Sequence, residues 1–275
     1  MLSVPGVAEF HLPSDVSCGF LTVPENRADP DGHTIKVAVA RLDAVNADPD
    51  RDPMVYLNGG PGSTSILLAE SLRDKGINND RDVIFVAQRG TVLSEPFLSC
   101  PEYDEFIGAT TGMSMLSPES ARLSENAVRA CHDRLAADGY DLGAYNTTEN
   151  AADIADLRVA LGIDSWHVYG VSYGTLLALQ LIRNHPEGIS SVVPHSPAVR
   201  APTLGGTFDA ITQPFLADSA AETLSDSRVV RFPAISHDVY AQSECGRTVV
   251  ADFLVRPDSY ETTCVEAMEI PQFIH

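Results

Sequence analysis

A doubly wound, mostly parallel α/β sheet is the fold class this sequence predicts, and three observations predict it. Strand-like apolar runs alternate with helix-like stretches along most of the chain. The turn Gly170-Val171-Ser172-Tyr173-Gly174 stands between a strand-like run and a helix-like one. The 275 residues, 44% of them hydrophobic, suffice for one large core, so a single domain over 1–275 is expected and a second is not required.

Taken in order, strands are expected at 33–42, 54–57, 83–87, 166–169, 189–193, 203–205 and 228–232. The first of these are expected to form an antiparallel edge on a parallel sheet. A helix is expected over 149–161, where Ile154, Leu157 and Leu161 share a face while Asp153, Asp156 and Arg158 face out. It opens on acidic residues and ends near Gly162, as the helix dipole and C-terminal capping favour. A second helix follows the glycine turn over 175–184. Residues 101–118 read as a loop bordering a pocket, and the chain contains neither an internal repeat nor a low-complexity linker.

The glycine turn makes Ser172 a candidate nucleophile. On a tight strand-to-helix turn the flanking glycines remove Cβ atoms that would collide with neighbouring backbone, and the hydroxyl is pushed into solvent. The pentapeptide alone also matches an ordinary turn. Asn58-Gly59-Gly60-Pro61-Gly62 follows the apolar run 54–57 and can present bare backbone N–H groups, although by itself it also reads as a plain Gly-Pro turn. Acyl transfer needs donors aimed at a developing oxyanion, and Gly59 or Gly60 together with Tyr173 are the candidates. The base and its orienting carboxylate are sought C-terminal to the serine, in the order acid then histidine. Asp209, just past a short apolar run, and His237, after the strand-like 228–232, both fall at expected carboxyl ends of strands. That position selects His237 over His185, His195 and His275; Asp218 and Asp226 are the reserve carboxylates.

With these motifs in place, the chain resembles the proline iminopeptidase and tripeptidyl aminopeptidase family of α/β-hydrolases. The resemblance rests on residues 18–26, Asn58 to Gly62, Gln88-Arg89-Gly90, and the serine turn with Thr175 behind it. Residues 202–266 resemble the C-terminal module of the tripeptidyl aminopeptidase branch, through Gly206-Thr207-Phe208-Asp209, His237-Asp238 and Cys245-Gly246-Arg247. The resemblance implies a triad of Ser172, Asp209 and His237 with oxyanion donors from the Gly59-Gly60 loop and Tyr173. It also implies removal of amino-terminal residues or short peptides. Asn58 stands where the family often has His, and Ala87 where it has Asp; Arg89 is expected to anchor loops around the site rather than to act in catalysis. The helical cap that the family inserts after the strand at 189–193 is expected to be absent or minimal, because only Pro194 to Ala201 link that strand to the next core segment. A cap-free site leaves small acyl esters as an alternative substrate and a non-catalytic binding module as a further one.

Net charge of −20 and a pI near 4.5 argue against nucleic acid and anionic membrane surfaces as partners, since binding there rests on Lys and Arg. No apolar run is long enough to span a membrane, and the amino terminus lacks a signal-peptide pattern. Cys-x-x-Cys and His-Glu-x-x-His spacings are absent, so neither a metal nor a cofactor is expected. Of the five cysteines, the resemblance implies Cys100–Cys131 and Cys245–Cys264 disulfides and leaves Cys18 single. Disulfides imply an extracellular or periplasmic protein; five reduced thiols in a cytoplasmic one is the alternative.

Overall fold

A period-two alternation runs through the central strands and sorts their side chains onto two faces. The computed structural model describes residues 15–48, 50–114, 116–194, 201–209, 218 and 227–270. In β2 (Thr34–Leu42), Ile35, Val37 and Val39 join one buried cluster, and Ala38, Ala40 and Leu42 join the other. β3 (Met54–Leu57) and β4 (Val83–Val86) divide likewise, with Met54, Tyr56, Val83 and Phe85 opposite Val55, Leu57, Ile84 and Val86. A sheet buried on both faces is what covering helices on each side require.

The six-stranded sheet runs β1-β2-β4-β3-β5-β6, where β1 is Val16–Pro24, β5 is Trp166–Gly170 and β6 is Ile189–Pro194. β1 pairs antiparallel with β2, and β2 with β4; β4, β3, β5 and β6 pair parallel. An antiparallel edge is present as expected, but it is made by β2 with β1, a strand missing from those read in the sequence, whereas β3 lies in the parallel centre. The exposed residues 17–20 of β1 explain why it was missed, since an edge strand need not be apolar. β7 (Ala201–Gly206) and β8 (Ser227–Phe232) form a separate parallel pair, with β7 lying beside β6. Residues 195–200, which carry the join that suggests a missing cap, lie outside the described residues.

Three expectations need correction. Residues 101–118 are not a loop throughout: after the short helix α1 (Ala69–Arg73), Pro101–Ala109 is a helix (α2), with Pro at its first turn and Glu102 and Asp104 favourably placed at its amino end. It packs on the long helix α3 (Pro118–Ala137), to which the Cys100–Cys131 disulfide ties it. The helix expected at 149–161 runs Thr147–Ala160 (α4), capped by the Asn146 side chain, and Leu161 beyond it is exposed rather than in the apolar face. Asp153 does not face solvent either; it is buried against Arg89 and Arg27. Cys245–Cys264 is the second disulfide, and Cys18 is free and exposed on β1. Two such bonds suit a protein maturing outside the reducing cytoplasm. No helix among the described residues is long and apolar enough to cross a membrane.

Candidate active site

Register brings the two glycine motifs together. Leu57 at the end of β3 pairs with Gly170 at the end of β5, so the Asn58 loop and the serine turn leave the sheet side by side. Both leave at carboxyl ends of parallel strands, where open α/β sheets build their sites. Ser172 adopts φ 56 and ψ −126, immediately before α5 (Tyr173–Asn184). A non-glycine residue in that region is strained, and packing must hold it. The holding contacts are visible: Val171 N–H donates to Leu57 O at 3.0 Å and Thr175 Oγ1 to Gly170 O at 3.1 Å. A Cβ on Gly170 would come 2.7 Å from Gly174 O, and one on Gly174 would overlap Leu57 O. The glycines at both positions are thus required by close backbone approach rather than by turn propensity alone.

Gly59 lies directly against Ser172. A Cβ built on it would stand 2.5 Å from Ser172 Cβ and 2.9 Å from Oγ. The loop is pinned by Ser63 Oγ, which donates to Gly59 O at 2.7 Å, and by Gln88 Nε2, which donates to Asn58 O at 3.2 Å. Gly60 has φ 114 and precedes a cis bond to Pro61. Tyr173 opens α5, where backbone N–H groups lack intrahelical acceptors, and its side chain is fixed by a 2.8 Å hydrogen bond between its hydroxyl and Thr147 Oγ1.

Asp209 and His237 meet across two loops. His237 Nδ1 and Asp209 Oδ2 are 2.9 Å apart, with the carboxylate buried and the imidazole one-fifth exposed (21%). The loops are joined along their backbones: Thr207 N–H donates to Phe232 O at 3.0 Å and Phe208 N–H to Ile235 O at 2.9 Å. Ala234 N–H donates to Thr207 Oγ1 at 2.9 Å. Gly206 is where they cross, since a Cβ there would overlap the Ile235 and Ser236 carbonyls. A carboxylate on Nδ1 holds the imidazole with its basic lone pair on Nε2, the state a general base needs. Exposed Phe208 and Leu176 flank Asp209 and the start of α5 in the sequence.

The alternatives are placed elsewhere or not described. Asp218 is engaged by Arg231, and His185 ends α5, at the opposite end from Ser172. Asp226, His195 and His275 lie outside the described residues. Sequence reasoning missed a buried His–Ser contact, His167 Nδ1 and Ser191 Oγ at 2.7 Å. It belongs to the amino-terminal halves of β5 and β6, and burial lowers the His167 pKa to about 4, with Arg81 adding to the effect. Alternation in β5 offered no signal for it, because every residue of that strand is buried.

Arg89 is the anchor expected of it. Its guanidinium, fully buried, donates to both Asp153 oxygens at 2.7 and 2.8 Å and to the Glu25 and Ala144 carbonyls at 2.5 and 2.9 Å. One side chain thereby joins the end of β1, the loop after β4 and α4. Burial raises the Asp153 carboxyl above its ordinary range, against the pull of Arg89 and Arg27.

A profile of the alpha/beta hydrolase fold matches residues 52–227. The chain belongs to that family. Among curated relatives of this chain, the tripeptidyl aminopeptidase of Streptomyces lividans is 30% identical over 181 residues, which is 62% of this chain and 33% of that protein. Serine protease Hip1 of Mycobacterium tuberculosis is 26% identical over 199 residues, 66% of this chain and 36% of that protein. The chain thus spans about a third of the length of these relatives. The crystal structure of a proline iminopeptidase from Mycobacterium smegmatis superposes with a TM-score of 0.56 at 16% identity, covering 87% of this chain and 99% of that one. At that identity the likeness is one of fold.

Proposed function

We propose that this alpha/beta hydrolase is a serine hydrolase working through an acyl-enzyme, and that it removes amino-terminal residues or short peptides. The observation that carries the reading is Ser172, held at φ 56 with Gly59 against its side chain, in a chain whose Asp209 and His237 pair at 2.9 Å on the strand-end loops after β7 and β8. In the mechanism, His237 takes the Ser172 hydroxyl proton as Oγ bonds to the acyl carbon, and Asp209 orients and stabilises the imidazolium. Backbone N–H groups of Tyr173 and the Gly59-Gly60 loop stabilise the oxyanion. His237 then gives its proton to the leaving amine, and water, deprotonated in turn by His237, releases the acyl group. The peptidase names of the relatives support a peptide substrate. The disulfides support an extracellular or periplasmic setting.

A second reading, a carboxylesterase acting on small acyl esters, is favoured by the short link between β6 and β7. Only residues 195–200 separate those strands, which leaves no room there for an inserted cap, and esters need less positioning than amides. The test compares kcat/KM on a short acyl p-nitrophenyl ester, a p-nitroanilide peptide with a free amino terminus, and the same peptide acetylated, with Ser172→Ala as blank. Cleavage of the free peptide, strongly reduced by acetylation, supports the aminopeptidase. Turnover of the ester alone supports the esterase, and no turnover of any substrate supports a binding module.

A further inference from the structure

Two groups of elements build the candidate site, and a polar contact joins them. Gly59 and Ser172 follow β3 and β5, neighbours in the six-stranded sheet, whereas Asp209 and His237 follow β7 and β8, a pair outside it. Among the described residues no strand ladder connects the two groups, so core packing and the side chains that cross between them set where base and nucleophile stand.

Tyr56 crosses. It is fully buried in β3, close before the Asn58 loop, and its hydroxyl donates to Asp238 Oδ2 at 3.4 Å. Asp238 is the residue after His237. Its other oxygen accepts the Ala241 N–H at 3.1 Å, capping the one-turn helix α6 (Val239–Gln242), whose Gln242 side chain in turn donates to His237 O. The Tyr56 ring stacks on Tyr169 with centroids 5.1 Å apart, and Tyr240 of α6 meets Tyr169 edge-on at 5.7 Å. Burial first, and then the Asp238 carboxylate, hold the Tyr56 and Tyr169 hydroxyls well above the usual phenol range, so both remain protonated beside that carboxylate. Asp238 itself is in the left-handed region, φ 66 and ψ 80. Glycine would adopt that backbone at less cost, and what aspartate adds is the carboxylate.

We propose that Asp238, anchored by Tyr56, is a positioning residue that fixes His237 relative to Ser172. The proposal rests on the serine-hydrolase reading above. It is tested by the rate at which a fluorophosphonate probe, which bonds to an activated serine with loss of fluoride, labels the protein, and by kcat and KM on whichever chromogenic substrate is turned over. Tyr56→Phe removes only the anchoring hydroxyl. Displacement of the base predicts a labelling rate and a kcat lower by on the order of 10- to 100-fold, with KM within about twofold. Asp238→Ala gives a comparable loss, and adding it to Tyr56→Phe lowers the rate little further, since both act through one contact. Asp238→Asn, which keeps an acceptor, a cap and tolerance of the left-handed region, restores most of the rate. Wild-type labelling and kcat in Tyr56→Phe, or KM rising in step with the loss, would overturn the proposal even if Asp238→Ala fails to fold. Labelling that persists in Ser172→Ala, or a wild type that does not label, would overturn the serine-hydrolase reading and this proposal with it. Loss in Ser172→Ala beside an unaffected Tyr56→Phe would overturn the proposal alone.

Discussion

Acid should destabilise this protein through His167. The imidazole is buried, with 8% of the residue exposed, and shares a 2.7 Å hydrogen bond with Ser191 Oγ. Burial is the largest cause of its low pKa, followed by Arg81, while Asp52 and Asp80 pull the other way; the result is about 4 against an ordinary 6.5. The sign follows from proton uptake. Between pH 6.5 and 4 the unfolded chain carries a proton on His167 and the folded chain does not, so stability is full above 6.5, falls as pH drops through that window, and levels off below about 4. At 1.36 kcal/mol per pKa unit the whole loss is roughly 3 kcal/mol, of which about 2 kcal/mol has gone by pH 5. Urea denaturation followed by circular dichroism at pH 7.5 and pH 5, on wild type and His167→Asn, reads this term, because carboxylates common to both proteins cancel in the comparison. The variant should lose about 2 kcal/mol less than wild type on acidification. Equal losses in both proteins would refute the assignment of a neutral buried imidazole.

Other substitutions probe the site and its supports. Gly59→Ala should abolish turnover, because the new methyl would stand 2.5 Å from Ser172 Cβ and 2.9 Å from Oγ and force the turn to shift; near-wild-type kcat would mean that the loop does not face the reacting atoms. Asp209→Asn should lower kcat on the order of 10⁴-fold through loss of the imidazole's orienting charge. Retained activity there would move the acid role to Asp218 or Asp226. Asp153→Ala should cost about 3–5 kcal/mol of stability by urea denaturation, since it leaves the buried Arg89 guanidinium without its carboxylate. A loss below about 1 kcal/mol would show that water or a neighbouring acid, Glu149 at 3.5 Å, takes over.

What was legible in the sequence was what local pattern encodes. Strand positions followed from short apolar runs, and the serine turn followed from glycines bracketing a strand-to-helix change. Asp153 shows the limit. Helical periodicity placed it with Asp156 and Arg158 on a solvent face, and only the arrival of Arg89 and Arg27 from distant segments buries it. α2 was missed for a related reason: its apolar residues are mostly exposed, Phe106 being the one buried, so no amphipathic stripe announced it.

The sequence by itself determined the alpha/beta class, the serine at a glycine-flanked turn and the candidates that could serve it, because these depend on residues a few positions apart. Tertiary structure alone decided that Gly59 touches Ser172, that Asp209 rather than Asp218 meets His237, and that Tyr56 reaches Asp238. Those contacts join residues far apart in the chain, and they form only when the burial of both sheet faces fixes which strand ends lie side by side.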